Sequence, residues 1–552
     1  MLIDIDIAPK RLLACCCSGG STRSVTMRFL DSNEAQAQDE GQLRGSQCND
    51  RSSSKTLFGS LLGQARKATR AFSSLVAAAF MTAAMLFSLP TPPQSARPSP
   101  GGRSSSHPVI LFVEAACVKE GQLAERFPSG SRIVRLEEWT RKPRNLTPSF
   151  FSAADPRVSF DGSRVLFAGK KEATQSWQIW EMNADGTGQR QVTHLDSDCL
   201  GPVYLPRDAI TFSGEVRETG GRRAFQVFFG RLDGTDVHPI TFGPGDFEVE
   251  TVLQNGLILA SARSPLEVRG RSENSRNLYT LRPNGSGLAA FRCDREAPAI
   301  RSQAEELDDG SVVFVKKAAV GSGVGGDLAA IRRGATHNSI LGPARELIWS
   351  PRQLEAARLI VARRADEPRQ SERFDLYSFD YASGKLQAPI YQDPEFSSIE
   401  AVPVAAHPAP RWYWSTLRLE IKAGYFICLN AALSGDASKD RLAPFPTEVR
   451  VLALDPATET ENSLGQAPIE PDGSFYVAVP PDRPVRFEVL GADGRIIRRQ
   501  QSWVWARPGE EHGCVGCHED RAVAPENRWP LALRRIDAPS LLGVSAPLDA
   551  AH

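Results

Sequence analysis

Between residues 150 and 400, short apolar runs alternate with polar positions and are separated by tight-turn sequences. Residues 156–167 are typical of a strand, a turn and a second strand, because positions alternate with a period of two on either side of Asp161-Gly162. Residues 177–193 repeat this pattern around Asp185-Gly186. The two hairpins predict one unit of four short antiparallel strands.

The unit recurs at intervals of about 50 residues, which is the period of a β-propeller blade. The later copies are marked by Asp233-Gly234, Asn284-Gly285, Asp309-Gly310 and the weaker pattern of residues 347–380. Five blades are therefore visible, and a sixth can be completed by residues 400–406, or by strands at 109–118 and 132–136. We predict a propeller over residues 109–407. A β-sandwich is the alternative, but the long period argues against it.

A second apolar pattern begins after Pro408-Ala409-Pro410. Strand-like runs occur at 424–430, 448–454 and 485–490, and Asp-Gly turns lie among them. Alternation joined by such turns predicts a small antiparallel domain, a β-sandwich, over residues 412–506. The predicted fold class is mainly β: a propeller, a small sandwich and a short helical segment near the C-terminal end.

Residues 72–89 form the one long apolar run without a charged side chain. Basic residues precede it and the Pro-rich residues 91–100 follow, as in a signal peptide or an N-terminal membrane anchor. The positive-inside rule then places everything after residue 100 in the periplasm, either released or anchored to the inner membrane. We predict a disordered extension over residues 1–70, and the signal or anchor with its linker over 71–100.

The chain has 65 Lys and Arg residues and 65 Asp and Glu residues, so its formal net charge is zero. No basic stripe is present, which argues against nucleic acid as a partner, and contact with a membrane is expected only through the possible anchor. Four cysteines, Cys117, Cys199, Cys293 and Cys428, lie in the exported part outside the motif described next. They are too few for a disulfide-stapled scaffold, and their pairing is open.

The sequence Cys514-Val515-Gly516-Cys517-His518 has the attachment signature of a c-type haem. Each thiol can add to one vinyl group of the porphyrin, and the adjacent His518 then lies beneath the iron as an axial ligand. A zinc site that adds His512 is a weaker alternative, because zinc ligands usually come from two separate elements. A thioredoxin-type motif is disfavoured, since no βα context surrounds it. We predict one covalent haem c, held by Cys514, Cys517 and His518 in a segment over residues 507–540.

The sixth position of the iron decides the chemistry, because a strong second ligand favours electron transfer and an open position favours binding of small molecules. His512 is a candidate, although a chain this short seldom reaches the opposite face of the haem. The alternatives are His407, Met182, another propeller side chain or water. Three aromatic residues are candidates for packing on the haem: Trp503, Trp505 and Trp529. Three acidic residues are expected to be solvated: Glu510, Glu511 and Glu519.

The blade turns resemble those of the TolB-like family of propeller repeats, with a good match in the first three copies. The order of propeller, middle β-domain and haem motif, together with residues 503–528, resembles the alpha subunit of hydrazine synthase and its relatives. This resemblance covers most of residues 150–535 and implies the architecture of that family. The family subunit continues into a further domain with a second haem, and no second CxxCH follows here, so hydrazine synthesis itself is not expected.

Three functions are compatible with these features. The first, which the sequence favours, is electron transfer or redox sensing, with the propeller as the binding platform for a redox partner protein. The second is a haem-dependent oxidoreductase that acts on a small nitrogen or oxygen species. The third is a TolB-like binding module in which the haem is structural. A low-spin spectrum would favour the first, a high-spin spectrum the second, and absence of haem the third.

Overall fold

A computed structural model describes most of the chain from residue 108 onward. The described residues are 108–119, 123–137, 142–217, 223–263, 275–291, 299–319, 323–332, 337–342, 346–365, 373–433, 444–455, 458, 460–500, 502–516 and 528–544, with the short strands Ile5–Asp6, Glu267–Val268 and Arg271–Ser272. One compact unit comprises Met1–Gly20 and Ser106–His552. The second unit, Ser21–Ser105, lies outside the described residues, and so does the apolar run 72–89.

Within the described residues, strands of the first domain form six four-stranded blades, numbered here in chain order. Each strand pairs antiparallel with its neighbour within a blade, as expected for short alternating runs joined by tight turns. The blades are Ser152–Val158, Arg164–Lys170, Gln178–Asn183 and Arg190–Gln191 (blade 1); Cys199–Leu205, Ala209–Arg217, Arg223–Arg231 and His238–Pro239 (blade 2); Phe247–Val252, Ile258–Arg263, Arg276–Leu281 and Ala289–Ala290 (blade 3); Ala299–Glu306, Val312–Ala318, Asp327–Ile331 and Ser339–Ile340 (blade 4); Glu346–Glu355, Arg358–Ala365, Asp375–Asp380 and Lys385–Tyr391 (blade 5); and Ser397–Pro403, Ile110–Ala115, Arg132–Leu136 and Arg144–Asn145 (blade 6).

Blade 6 closes the ring with strands from both ends of the domain. Ser397–Pro403 is its innermost strand and pairs antiparallel with Ile110–Ala115, which is buried along its whole length. The two segments that the sequence offered as alternatives for a sixth blade are therefore both used. The innermost strand of each blade lies against that of the next, so the six form a closed ring.

Every innermost strand is interrupted by a break in its pairing register. At five of the breaks among the described strands, one residue has a positive φ: Asp155 (54°), Gly201 (59°), Gln303 (55°), Ser350 (44°) and Glu400 (53°). A non-glycine residue adopts this conformation only where surrounding contacts impose it. The repeated break exposes a backbone N–H toward the ring axis, where it needs an acceptor.

That acceptor comes from the preceding blade. In five of the six steps around the ring, a side chain of one blade accepts a hydrogen bond from a backbone N–H of the next. The donors and acceptors are Asp155 N to Glu400 Oε2 (3.0 Å), Gly201 N to Asp155 Oδ2 (2.8 Å), Val249 N to Ser213 Oγ (2.9 Å), Ala304 N to Glu250 Oε2 (3.0 Å) and Glu400 N to Ser350 Oγ (2.8 Å). We call this set the axial relay. Because all five bonds run in one direction, the relay fixes both the bulges and the contacts between blades.

Glu400 is the member of the axial relay whose ionisation is most perturbed. It is buried, and burial together with the nearby Asp155 carboxylate raises the pKa of Glu400 to about 8. Between pH 4.5 and 8 the folded protein therefore keeps a proton that the unfolded chain has released. The stability contributed by this group is complete below pH 4.5 and declines as the pH rises toward 8.

Replacing Glu400 with glutamine should flatten this pH dependence. The amide keeps an oxygen that can accept from Asp155 N, but it carries no proton to lose. Between pH 5 and 8, the free energy of unfolding of the parent protein should decrease as the pH rises. We expect this decrease to be larger than that of Glu400→Gln by about 1 kcal/mol per pH unit. Urea unfolding at four pH values measures the slopes. The exposed Glu395 supplies the control, since Glu395→Gln should retain the parental slope; equal slopes for all three proteins would contradict the assignment.

The second domain is a sandwich of two sheets around one apolar core. Its first sheet contains Glu448–Asp455, Thr460–Pro468, Val485–Leu490 and Ile496–Gln500, with Ile5–Asp6 added at its edge; its second contains Gly424–Asn430, Phe475–Val479, Glu511–Gly516 and Ser540–Leu541. Phe426 and Phe475 of the second sheet pack against Phe487 of the first. The fold class expected from the sequence, mainly β with a propeller and a small sandwich, is confirmed.

The helical C-terminal segment is not observed. Residues 511–516, which contain the first cysteine of the motif, form a strand that pairs with Gly424–Asn430. The described residues 528–544 contain one 3₁₀ turn, Leu531–Leu533, and the short strand Ser540–Leu541. The strand forms because the sheet offers Gly424–Asn430 as a partner that lies far away in the sequence. A further 3₁₀ turn, Leu123–Glu125, lies in the propeller. No helix among the described residues is long and apolar enough to cross a membrane.

Trp505 joins the sandwich to the propeller. It is 1% exposed and lies in a core formed with blades 2 and 3, where its ring meets Phe247 (5.6 Å between centroids) and Phe242 (6.1 Å) edge-on. Gly243 lies beneath it, and a Cβ there would come within 3.0 Å of the indole ring. Residues 404–423 connect the two domains, with Trp414 stacked on Arg207 of blade 2 at 4.0 Å.

Candidate haem site on the edge of the sandwich

The described part of the haem motif lies on Glu511–Gly516, an edge strand of the second sandwich sheet. It runs parallel to Gly424–Asn430, with Phe426 opposite His512 and Cys428 opposite Cys514. Because side chains alternate along a strand, His512 and Cys514 point to one face, and both are buried. The remaining motif residues, Cys517 and His518, lie outside the described residues, as does Glu519.

Cys514 lies at the margin of the sandwich core. It is 5% exposed and belongs to the same apolar cluster as Cys428, which is 1% exposed. Both are thiols in the structure, as are Cys117 and Cys199, while Cys293 lies outside the described residues. The first anchor of the motif is thus held by the fold, with a second thiol beside it.

His512 is held by two contacts. Its ring lies 5.2 Å from that of Phe426, and its Nδ1 atom is 3.5 Å from Glu510 Oε1. The imidazole is therefore enclosed between an aromatic ring and a carboxylate, two residues before Cys514. A role as sixth ligand stays a prediction.

Glu510 is the residue that anchors the edge strand. Its Oε1 accepts from Gly287 N of blade 3 (2.7 Å), and its Oε2 accepts from Arg507 N (2.8 Å). Burial opposes ionisation of Glu510, but hydrogen bonds from His512 and these two amides outweigh it and lower the pKa of this carboxyl. The expectation that Glu510 is solvated is wrong, whereas Glu511 is exposed as expected.

Arg507 adds a positive charge beside this carboxylate. Its guanidinium lies 4.9 Å from the ring of Phe242 in the propeller, and its Nη1 is 3.3 Å from Asp482 Oδ1. The side chain is buried, and burial lowers the pKa of Arg507 although Asp482 and Glu510 act in the opposite sense. The buried charges of Arg507 and Glu510 therefore lie at the junction between the two domains, just before the haem motif.

The chain is held again at residue 528. Arg528 donates to Asp472 O (2.8 Å), Leu531 N donates to Asp472 Oδ2 (2.9 Å), and Ala532 N donates to Ser474 Oγ (3.0 Å). All three acceptor atoms belong to the turn Asp472-Gly473-Ser474, which precedes the strand Phe475–Val479. The described chain therefore contacts the sandwich both at residues 511–516 and again from residue 528 onward.

The other residues considered for the haem are dispersed. Trp505 belongs to the interdomain core, Trp503 lies against the Arg486 guanidinium at 5.0 Å, and Trp529 is 64% exposed. His407 packs on Phe160 at 5.4 Å, and burial lowers the pKa of His407. Met182 is buried in the core around blade 1. The structure brings His512 and Cys514 together, and it places Met182 and His407 in the propeller.

Of the three residues that the motif assigns to haem attachment, the structure describes Cys514, whose thiol and place on an edge strand are compatible with a covalent haem. An edge strand can receive a flat macrocycle without loss of backbone hydrogen bonds, since no described strand pairs with the outer side of Glu511–Gly516. The donor set is two thiols and an imidazole, as thioether attachment requires. Cys514 is only 5% exposed and belongs to the sandwich core, so attachment would require this thiol to become accessible.

The comparisons with known proteins converge on one family. Residues 443–519 match the hydrazine synthase alpha subunit middle domain, a span that includes the complete Cys514–His518 motif. Over these residues the chain is similar to the hydrazine synthase alpha subunit. Hydrazine synthase subunit alpha of Kuenenia stuttgartiensis is 24% identical over 537 residues, which cover 74% of this chain. The chain spans 65% of the length of that relative.

The fold of the hydrazine synthase alpha-like chain agrees with this. The solved structure of Kuenenia stuttgartiensis hydrazine synthase superposes with a TM-score of 0.68 at 21% identity, covering 78% of this chain and 71% of that one. TolB from Acinetobacter baumannii is also similar, over 53% of this chain and 66% of that one, at 15% identity and a TM-score of 0.38. The resemblance to the hydrazine synthase alpha subunit, inferred from the domain order and from residues 503–528, is confirmed.

Proposed function

We propose that this chain is an exported haem c protein and a subunit of an enzyme that acts on small nitrogen species. The observation that carries the proposal is the match to the hydrazine synthase alpha middle domain, which extends across Cys514, Cys517 and His518. The electron-transfer function that the sequence alone favoured has no comparable support. Hydrazine synthase alpha is named as a subunit, so we further propose that this chain assembles with other proteins.

Cys514 and Cys517 would hold the haem by thioether bonds, and His518 would be the axial ligand. The haem, when bound, supplies a redox-active iron to which a small nitrogen species can coordinate. Glu510 joins the strand that carries Cys514 to blade 3 through Gly287, so the propeller fixes the position of the first anchor. The ionised Glu510 accepts a hydrogen bond from His512 and orients this imidazole beside the attachment strand.

Export is part of the proposal. Thioether attachment of haem c takes place outside the cytoplasm, and residues 72–89 with their basic flank offer a signal or an anchor. Both functions of that segment predict a periplasmic propeller and sandwich.

Replacing Cys517 with alanine should abolish stable covalent attachment of haem, because one thioether and the spacing to His518 are lost. The parent and the variant are co-expressed with a c-haem maturation system, and a pyridine haemochrome assay on denatured protein measures the covalent haem. Cys117→Ala is the matched control, since Cys117 is an exposed propeller thiol and its removal should leave the haem content unchanged.

The spin state then separates the two haem functions. An enzyme that binds small nitrogen species should show a high-spin ferric spectrum that shifts when nitric oxide is added. A low-spin spectrum unaffected by nitric oxide would support electron transfer instead. Folded, exported protein without covalent haem would overturn both.

A further inference from the structure

A second site lies on the axis of the propeller, away from the haem motif. The innermost strands surround a cavity of about 30 Å³, whose lining combines charged side chains with apolar residues such as Leu123, Pro156 and Val249. Its lining includes Asp155, Gly201, Gln303 and Glu400, which are four of the positive-φ residues, together with Arg157 and Arg352. The repeated breaks in the innermost strands therefore converge on one small internal space.

The axial relay is incomplete at this point. Among the described residues, the step from blade 4 to blade 5 has no bond of the kind that joins the other blades. Ser350 is followed by Pro351 just as Asp155 is followed by Pro156 in blade 1, so the proline alone does not account for the missing bond. Arg352 follows, and its guanidinium occupies the position where the relay is interrupted.

Arg352 is a buried cation with an unused donor. It is 6% exposed, its Nη1 donates to Pro351 O (3.0 Å) and lies 3.4 Å from Glu305 Oε2, and its Nε has no hydrogen-bond partner among the described residues. A buried charged donor without an acceptor is costly, so an acceptor is expected in the cavity that Arg352 lines.

A second guanidinium lies close by. Arg157 lines the same cavity and donates from Nη2 to Glu250 O (2.8 Å). Burial, and next the charge of Arg352, lower the pKa of Arg157 to about 10. Two buried guanidinium groups thus repel each other across a small space, and a negative charge between them would relieve both penalties.

The neighbouring carboxylates already have partners. Asp155 accepts from Gly201 N, Glu250 accepts from Ala304 N, and Glu248 is paired with Arg126 and Arg276. No lining carboxylate reaches Arg352 Nε as a hydrogen-bond acceptor. Glu400, the fourth carboxyl group of the lining, accepts from Asp155 N. An acceptor for Arg352 Nε would therefore come from outside the chain. Three arginines, Arg126, Arg157 and Arg352, line the cavity beside these four carboxyl groups.

We propose that the propeller axis binds one small monovalent anion, of the size of a halide, between Arg352 and Arg157. A volume of about 30 Å³ admits one or two water-sized occupants, which excludes organic anions. The anion supplies the acceptor that the relay lacks between blades 4 and 5, so it completes the ring of contacts around the axis. Its binding is independent of the haem.

Bromide is the probe for this site. Crystals of the unmodified full-length chain grown in sodium bromide should give an anomalous diffraction peak within hydrogen-bond distance of Arg352 Nε. In solution, bromide and chloride should raise the midpoint temperature of thermal unfolding, and the increase should saturate with concentration. We expect the midpoint to be about 2–4 °C higher than in sodium gluconate at the same ionic strength. Arg352→Gln should lose this salt-specific shift. Arg358→Gln, which removes an exposed arginine of the same blade, should retain it.

Absence of the anomalous peak would mean that water fills the cavity, and this result would overturn the proposal. Because the diffraction experiment uses the unmodified chain, it decides the question even if Arg352→Gln does not fold. A peak without any saturable stabilisation in solution would show binding at crystal concentration only, which would also overturn it. A saturable shift that persists in Arg352→Gln would place the halide elsewhere.

Discussion

Glu248→Ala should lower the free energy of unfolding by about 3–5 kcal/mol, because it leaves two buried guanidinium groups without their common partner. Glu248 lies between Arg126 (2.8 Å) and Arg276 (2.5 Å), and all three side chains are less than 15% exposed. Burial opposes ionisation of Glu248, but Arg276 and Arg126 outweigh it and lower the pKa of Glu248 to about 2. This triad therefore contributes stability above pH 4.5 that is lost as the pH falls toward 2.

Chemical denaturation of the parent and of Glu248→Ala at pH 7 measures the difference. Glu355→Ala is the control, because the Glu355–Arg358 pair is exposed on both sides and such pairs contribute less than about 1 kcal/mol. A similar loss in the two variants would show that the buried triad contributes no more than a surface pair.

Trp505→Ala should cost about 3–5 kcal/mol, the range observed when a buried large aromatic side chain is truncated to alanine. The indole fills the junction between sandwich and propeller and makes edge-on contacts with Phe242 and Phe247. We expect calorimetry to show two separated unfolding transitions in the variant, since the main apolar contact between the two domains is lost.

Two matched variants sharpen this test. Trp505→Phe should cost less than the alanine change, because it keeps most of the ring area and removes an indole N–H that has no hydrogen-bond partner among the described residues. Trp414→Ala removes a tryptophan that is 69% exposed and stacked on Arg207, a contact of about 0.5–1 kcal/mol. If Trp414→Ala is as damaging as Trp505→Ala, the junction does not depend on Trp505.

Local pattern predicted most of the fold. Five blades could be recognised because their turns, such as Asp161-Gly162 and Asp309-Gly310, lie a few residues from the strands they join. The sixth could only be offered as alternatives, because Ala115 and its partner Ser397 are 397 − 115 = 282 positions apart. Strand Glu511–Gly516 was missed, although its burial alternates as in a strand, because its partner Gly424–Asn430 is also remote in the sequence.

The candidate site shows the same limit. The spacing of Cys514, Cys517 and His518 indicates haem attachment without any knowledge of the fold. Glu510 was expected in solvent, although one of its partners, Arg507 N, lies only three residues away. Its acceptor role depends on Gly287, which is 223 positions away. The axial cavity and the role of Arg352 could not be predicted from the sequence either, because the cavity forms only where the innermost strands of the six blades come together.

The closure of blade 6 has a consequence for how the protein is made. Ile110–Ala115 is synthesised long before Ser397–Pro403, the strand that covers it. Until then the nascent chain presents an unpaired edge of mostly apolar residues to chaperones and proteases. The motif at residues 514–518 is synthesised after both strands. On the proposed export route, the maturation machinery would therefore meet its cysteines on a chain that already contains every strand of the ring.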